Sequence, residues 1–229
     1  MDETVQELHQ DVVHMGGLTK EAIAKASRGI LEADRLLCEE VIGQDDVIDR
    51  MELSIASKCI EFLVSDESAA AAPKRKVAAI LRVITDLERV ADLAVDIALI
   101  GREIAPPCPA KITRRLQKMV DLTSDMVERS LRAFVSGKLH DLHRLREQEG
   151  TVEIAHRWLH AEVLRHLEAA PDYLRSGVGL LFVSHALKRM AAHATNIGEW
   201  AIFSVTGELG RLRSYHPTPF PATLLSLVR

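Results

Sequence analysis

The sequence is poor in aromatic residues and has no long uninterrupted apolar segment, and both absences limit the possible folds. Aromatic residues account for only 4% of the 229 positions. Alanine, leucine, valine, arginine and glutamate dominate instead, and glycine and proline are sparse within long segments, which is typical of an all-α protein. No run of about 18 uncharged apolar residues occurs, so the sequence predicts no transmembrane helix.

The sequence also has few cysteines and no excess of positive charge. The three cysteines are scattered and fit neither a disulfide framework nor the spacing of a zinc ribbon. The formal net charge of −4 argues against a nucleic-acid-binding protein, which would need a basic surface. The acidic first residues lack the basic and apolar pattern of a signal peptide, so we expect a cytoplasmic protein.

Apolar residues recur at helical spacing in six segments, three on each side of a proline-rich stretch. The predicted helices span approximately residues 4–31, 35–64, 74–103, 111–134, 139–168 and 171–205. Asp34 is the expected cap of the second helix. Pro106, Pro107 and Pro109 cannot continue a helix, and they mark the linker between the two groups of three.

The predicted fold is therefore all-α, with two tandem three-helix bundles. We assign residues 1–105 to the N-terminal bundle, residues 110–207 to the C-terminal bundle and residues 208–229 to a tail of unknown role. The third and sixth helices share one apolar pattern at an offset of 100 residues, which pairs Leu87 with Leu187. This duplication predicts that the bundles are related by pseudo-twofold symmetry.

The third helix carries three carboxylates at four-residue spacing, Glu88, Asp92 and Asp96. Like charges at this spacing cost roughly 0.2–0.5 kcal/mol per pair, so the arrangement needs a reason. A bound cation, a basic partner surface and a solvated acidic stripe are the three interpretations. Asp45 and Asp49 form a similar pair on the second helix. They either face the first stripe and complete a metal site, or they belong to a solvated surface.

The segments around these residues resemble the PhoU family, whose members carry a motif like LERIGDHATNIAE on the third helix of each of two three-helix bundles. DLERVADLAVDIA, residues 86–98, is similar to the first copy. LKRMAAHATNIGE, residues 187–199, is similar to the second copy with its acidic residues removed. With HMGGLTKEAI, VIGQDDVIDRME and MVERSLRAF, the resemblance covers about residues 5–207.

The resemblance implies a cytoplasmic regulator of phosphate uptake that contacts the phosphate ABC transporter and a membrane sensor kinase. Such a protein is peripheral to the membrane through its partners, and a homodimer is expected. Several members bind multinuclear iron, zinc or manganese at ExxxD motifs. The expected cofactor is thus one of these metals at the first motif only, with a metal-free protein as the alternative. The implied ligands are Glu88, Asp92, Asp96, Asp45 and Asp49.

The second half has lost the acidic stripe of the first. Lys188, Ala192 and Asn196 stand at its three acidic positions. The preceding helix still offers Glu149 and Glu153, so we expect Lys188 to form an ion pair with one of these glutamates in place of a bridging cation. If that pair is exposed, it contributes only about 0–1 kcal/mol.

Histidines cluster in the second half of the chain. His156 and His160 have a spacing compatible with zinc, and Glu153 with His156 forms an ExxH motif of the kind used by di-iron bundles. That site requires a second ExxH and two further glutamates, and only this one ExxH is present. We therefore expect the histidines to be surface or half-buried residues, and we expect Trp158 and Trp200 to pack against the core.

Three functions compete on this sequence. No nucleophile–base set, glycine-rich phosphate loop or complete catalytic metal motif is visible, which favours a non-enzymatic regulator that acts by protein contacts. The alternatives are a carboxylate-bridged metal-binding or metal-storage helical bundle, and a PhoU-like protein repurposed for another transporter.

Overall fold

Six long helices and two short 3₁₀ helices make up the described part of the chain. The computed structural model describes residues 3–65, 70–104 and 109–209. The helices are α1 (Glu3–Glu32), α2 (Arg35–Ser65), α3 (Ala71–Glu103), α4 (Ala110–Ser136), α5 (Leu145–Ala169) and α6 (Leu174–Thr206). Within these ranges there is no β-strand, and the predicted all-α fold is confirmed.

Local signals account for where α2 and α3 begin. The Asp34 side chain accepts hydrogen bonds from the backbone N–H groups of Leu36 and Leu37 at 3.0 and 3.3 Å, so it caps α2 as predicted. Helix α3 starts at Ala71, three residues before the predicted start. Pro73 then lies in the first turn, where its missing N–H breaks no helical hydrogen bond.

The fifth helix begins later than predicted. Residues 139–144 form a 3₁₀ helix, and α5 starts only at Leu145. Leu139, Leu142 and Leu145 are spaced by three, which matches the three residues per turn of a 3₁₀ helix and turns all three toward the core. A second 3₁₀ helix, Pro171–Tyr173, likewise precedes α6.

Parts of the predicted linker and tail lie outside the described residues. Pro106 and Pro107 belong to this group, whereas Pro109 is described and directly precedes α4. Residues 210–229 of the predicted tail also lie outside. None of the helices that are described has a segment both long and apolar enough to cross a membrane.

The six helices form two three-helix bundles with one continuous core. Helices α1, α2 and α3 contact one another, as do α4, α5 and α6. The bundles are joined by contacts of α1 with α4 and of α3 with α6. A pseudo-twofold axis that exchanges the bundles would exchange α1 with α4 and α3 with α6. The observed joining pairs are these same two pairs, as the predicted relation requires. Buried apolar side chains from both bundles belong to a single cluster.

Two glycines permit the bundles to approach each other closely. Gly16 on α1 faces the side chain of Leu131 on α4, and a Cβ atom at this position would collide with it. Gly179 on α6 faces Ile100 on α3 and Ile104 directly after α3 in the same way. Each joining helix pair therefore contains a glycine where backbone and partner side chain meet.

Helices α3 and α6 run antiparallel. Near the start of α3, Arg75 donates hydrogen bonds to the carbonyl oxygens of Ser204 and Val205 at the end of α6. At the other end, Glu103 of α3 pairs with Arg175 of α6 at 2.9 Å. These contacts fix the register of the two helices that carry the duplicated motif.

Midway along this helix pair, a buried carboxylate connects the bundles. Asp86 on α3 is only 8% exposed. Its Oδ1 accepts hydrogen bonds from His193 Nδ1 at 2.8 Å and from Asn196 Nδ2 at 3.1 Å, both on α6. Asn196 is the residue that replaces the third acid of the motif in the second copy, so this position now serves the contact between bundles.

Candidate metal centre

Carboxylates of α2 and α3 converge where these helices pack in the first bundle. Asp45 and Asp49 lie one turn apart on α2, and Asp92 lies on α3. One oxygen from each side chain lies within 4.8 Å of the other two, and all three residues are half-buried. The structure thus brings together three of the five predicted ligands, which we call the carboxylate trio.

The other two predicted ligands lie outside the trio. Asp96 is exposed, one turn beyond Asp92. The Glu88 side chain is only 14% exposed. Burial raises the pKa of Glu88 to about 7, and the negative charge of Asp92 adds to this effect while Arg89 opposes it. In the metal-free protein Glu88 is therefore about half protonated near neutral pH.

Asp45 shows most directly that the trio fits a cation. Its Oδ1 is buried and has no hydrogen-bond partner among the described residues. Burial raises the pKa of Asp45, and the charges of Asp49 and Asp92 raise it further. A buried carboxylate oxygen without a partner is unfavourable, and a bound cation would satisfy it and offset the repulsion.

Arg89 and Glu52 are part of this surface, although sequence analysis did not single them out. Arg89 Nη1 donates to Asp92 Oδ2 at 3.0 Å, and its Nε lies 3.4 Å from Glu88 Oε2. Glu52, on α2, accepts a hydrogen bond from Thr85 Oγ1 at 2.9 Å. The sequence could have indicated both residues, because each lies three residues from a predicted ligand and therefore on the same side of its helix.

The ligand chemistry of the trio is oxygen only. Carboxylate oxygens suit hard cations, above all Mg²⁺, Ca²⁺ and Mn²⁺. Arg89 competes for one of these oxygens, since its guanidinium already neutralises part of the charge on Asp92. A divalent ion that bridges α2 and α3 would therefore compete with Arg89 for Asp92.

The corresponding surface of the second bundle holds an ion pair. Lys188 Nζ lies 2.9 Å from Glu153 Oε2, so the predicted pair forms and Glu153 is the partner. Glu149 instead accepts hydrogen bonds from Thr195 at 3.3 Å and Arg146 at 3.2 Å. Over the residues that the structure describes, no second carboxylate cluster like the trio occurs.

The histidines and tryptophans lie where the sequence predicted. His156 is half-buried and His160 is exposed. Trp158 and Trp200 are partly buried against the core. Arg115 lies over the Trp158 ring, 4.5 Å from its centre, which is a cation–π contact that packs the outer side of the indole.

Metal-free protein should lose stability as the pH rises, because Glu88 must release a proton that the fold retains. The pKa of Glu88 is about 7 in the folded state against an ordinary 4.5. Between these two pKa values the folded state binds more protons than the unfolded state. The stability that protonated Glu88 contributes is therefore complete below pH 4.5 and is lost as the pH rises through about 7. The full effect is at most about 3 kcal/mol.

Urea denaturation of EDTA-treated protein at about pH 5 and about pH 8 checks this expectation. Glu88→Gln should flatten the pH dependence and leave the variant about 1–3 kcal/mol more stable than wild type at the higher pH. Glu61→Gln, an exposed position elsewhere on α2, is the matched control and should behave as wild type. Identical pH profiles for wild type and Glu88→Gln would contradict the burial argument.

A duplicated three-helix bundle with a carboxylate cluster on its first copy defines a class of two-domain, all-α proteins. The sequence profile of the PhoU domain matches residues 12–100 and again residues 116–201. The chain belongs to the PhoU family, as the resemblance of its two motifs predicted. Each match covers one bundle, so the duplication seen in the sequence is that of the family domain.

Relatives of known name cover most of the chain. The phosphate-specific transport system accessory protein PhoU homolog of Clostridium acetobutylicum is 26% identical over 204 residues, 89% of this chain and 93% of the relative. The homolog of Rhizobium meliloti is 28% identical over 211 residues, 90% of this chain and 87% of the relative.

Two crystal structures share the fold. PhoU from Pseudomonas aeruginosa superposes with a TM-score of 0.83 at 24% identity, covering 90% of this chain and 98% of that one. The phosphate transport system regulatory protein PhoU from Streptococcus pneumoniae gives 0.81 at 24% identity, covering 91% and 98%. The arrangement of all six helices is thus common to these proteins.

Proposed function

We propose that this protein regulates phosphate uptake through protein contacts and does not act as an enzyme. The observation that carries the proposal is the match of the PhoU domain to both bundles. Relatives aligned over about nine-tenths of the chain are named accessory proteins of phosphate-specific transport. The proposed partners are the phosphate ABC transporter and a membrane sensor kinase, contacted at the cytoplasmic side of the membrane.

The chemistry of the polar groups supports binding over catalysis. The carboxylate trio offers oxygen ligands for a cation. Ser184 is hydrogen-bonded to His156 at 3.0 Å, which resembles a nucleophile–base pair. Its hydroxyl is fully buried and donates to the Leu181 carbonyl at 2.8 Å, so it is not available to attack a substrate.

We also propose that, of the two copies of the motif, only the first holds a divalent metal ion, with Asp45, Asp49 and Asp92 as its ligands. The buried, unpartnered Oδ1 of Asp45 supports this assignment. Manganese suits the all-oxygen set best among iron, zinc and manganese. The ion would supply positive charge that ties α2 to α3. Glu88 and Asp96 then belong to the rim of the site, and Glu88 would ionise more readily beside the cation.

Deleting the gene from the native host is expected to derepress phosphate-uptake genes when phosphate is plentiful. A contact-based regulator that restrains uptake has this effect because its removal frees the sensor kinase from restraint. Transcript levels at high and low phosphate measure the response, and a plasmid-borne wild-type copy is the control. An unchanged response in a host without a paralogue would contradict the proposal and favour a PhoU-like protein repurposed for another transporter.

Co-purification identifies the partner directly. Tagged protein isolated from the native host at high and at low phosphate is examined by mass spectrometry, and the metal content of the same sample is determined. Enrichment of transporter or kinase subunits supports the proposal. Recovery of many redox-active metal ions per chain, without these partners, would favour the metal-storage alternative.

A further inference from the structure

Three histidines of the second bundle lie near one another where α5 packs against α6. His156 and His160 lie one turn apart on α5, and His185 lies on α6. The centre of the His156 ring is 6.4 Å from that of His160 and 6.0 Å from that of His185. Sequence spacing marked the first two histidines, and the fold supplies the third from another helix.

Hydrogen bonds at His156 define which of its nitrogen atoms is free. The Ser184 hydroxyl donates to the Leu181 carbonyl at 2.8 Å. Its oxygen therefore accepts the hydrogen bond from His156 Nδ1–H at 3.0 Å, and this assigns the neutral tautomer with a lone pair on Nε2. Metal-bound histidines commonly donate their other ring N–H in this manner, which orients the ring.

Burial and nearby positive charge favour the neutral form of His156. Burial lowers its pKa, and the positive charge of Lys188 lowers it further. Lys188 is itself paired with Glu153, so the nearest fixed positive charge is largely compensated. A neutral imidazole is the form that binds a metal ion.

We propose that His156, His160 and His185 form a zinc site that ties α5 to α6, with water as the fourth ligand. Zinc takes imidazole nitrogen at about 2.0–2.1 Å in tetrahedral geometry. The rings of His160 and His185 are exposed, and the proposed geometry requires each ring to turn toward Nε2 of His156. The i, i+4 spacing on α5 is already that of a zinc-binding helix.

The proposed zinc site differs in chemistry from the carboxylate trio. It lies one turn along α5 from Glu153, which pairs with Lys188 in the second bundle. Imidazole ligands favour zinc, whereas the trio favours harder cations. The proposal does not depend on the regulatory role, and zinc binding to the folded chain alone would raise its melting temperature.

Zinc titration by calorimetry tests the site in the full-length Asp49→Asn/Asp92→Asn protein, which lacks the competing trio. This protein is expected to bind one zinc ion. Adding His160→Ala and His185→Ala should weaken binding by roughly 100-fold or more, since two of three protein ligands are removed. Both positions are exposed, so circular dichroism should show an unchanged fold.

Two further variants separate a built site from casual zinc binding. His14→Ala, which removes an exposed histidine from α1, should leave zinc affinity unchanged. Ser184→Ala should weaken it by about 10–100-fold, because the hydrogen bond that orients His156 is lost. Absence of zinc binding in the starting protein would overturn the proposal. Equal losses with His14→Ala and the double histidine variant would also overturn it.

Discussion

Asp49→Asn combined with Asp92→Asn is expected to weaken manganese binding by the first bundle roughly 100-fold or more. The two substitutions remove charged oxygen ligands from both helices of the carboxylate trio, and Asp45 alone provides one side chain. Manganese is the appropriate probe because it prefers oxygen, so the histidine cluster of the second bundle does not compete for it. Calorimetry or electron paramagnetic resonance of titrated protein measures the loss.

The same variant separates a metal site from a structural cluster. Without metal, removing like charges should leave the free energy of unfolding unchanged or raise it by about 0.2–0.5 kcal/mol per pair. Glu149→Gln with Glu153→Gln, at the corresponding positions of the second bundle, is the matched control and should retain manganese binding. Wild-type affinity in the trio variant, or no manganese binding by wild type, would instead identify a solvated or partner-facing acidic surface.

Helical periodicity was sufficient to predict most of the fold, because each helix buries one face. The cap at Asp34 and the positions of α2 and α3 followed from side-chain chemistry and apolar spacing. The predicted start of α5 was wrong because the leucines at 139, 142 and 145 belong to a 3₁₀ helix and the first turn of α5. Their spacing of three residues also fits an α-helical pattern, so the sequence did not distinguish the two.

The candidate site was harder to predict than the fold. Spacing shows which carboxylates share a helix face, but it does not show which faces of α2 and α3 meet. The structure turns Asp45 and Asp49 toward Asp92, whereas Asp96 stays exposed on the same helix. Arg89, three residues before Asp92, also binds one of the Asp92 oxygens, a contact that a prediction from the carboxylates alone omits.

In the second copy of the motif, too, sequence spacing predicted a local contact but not a long-range one. Its Lys188–Glu153 pair could be predicted, because a lysine at an acidic position of the motif can supply the positive charge that a bound cation would otherwise provide. Asn196 looked like a decayed ligand when compared with Asp96. Its actual contact is with Asp86 in the other bundle, a long-range pairing that no local spacing reports.

Asp86→Ala is expected to lower the free energy of unfolding by about 3 kcal/mol, because two half-buried donors lose their hydrogen bonds to a carboxylate, at roughly 1–3 kcal/mol each. The Asp86 and His193 side chains are 11% and 19% exposed, so water compensates little when the carboxylate is removed. His193 Nδ1 and Asn196 Nδ2 both lose their acceptor at the contact between α3 and α6. Urea denaturation near neutral pH measures the change.

A double-mutant cycle shows whether this loss comes from the contact between bundles. If Asp86 acts through His193, then the effects of Asp86→Ala and His193→Ala should fall short of additivity by about 1–3 kcal/mol. Asp86→Asn, which keeps an oxygen able to accept the same two hydrogen bonds, is the matched control and should lose less than Asp86→Ala. Additive effects would mean that the stabilisation by Asp86 does not pass through its contact with His193.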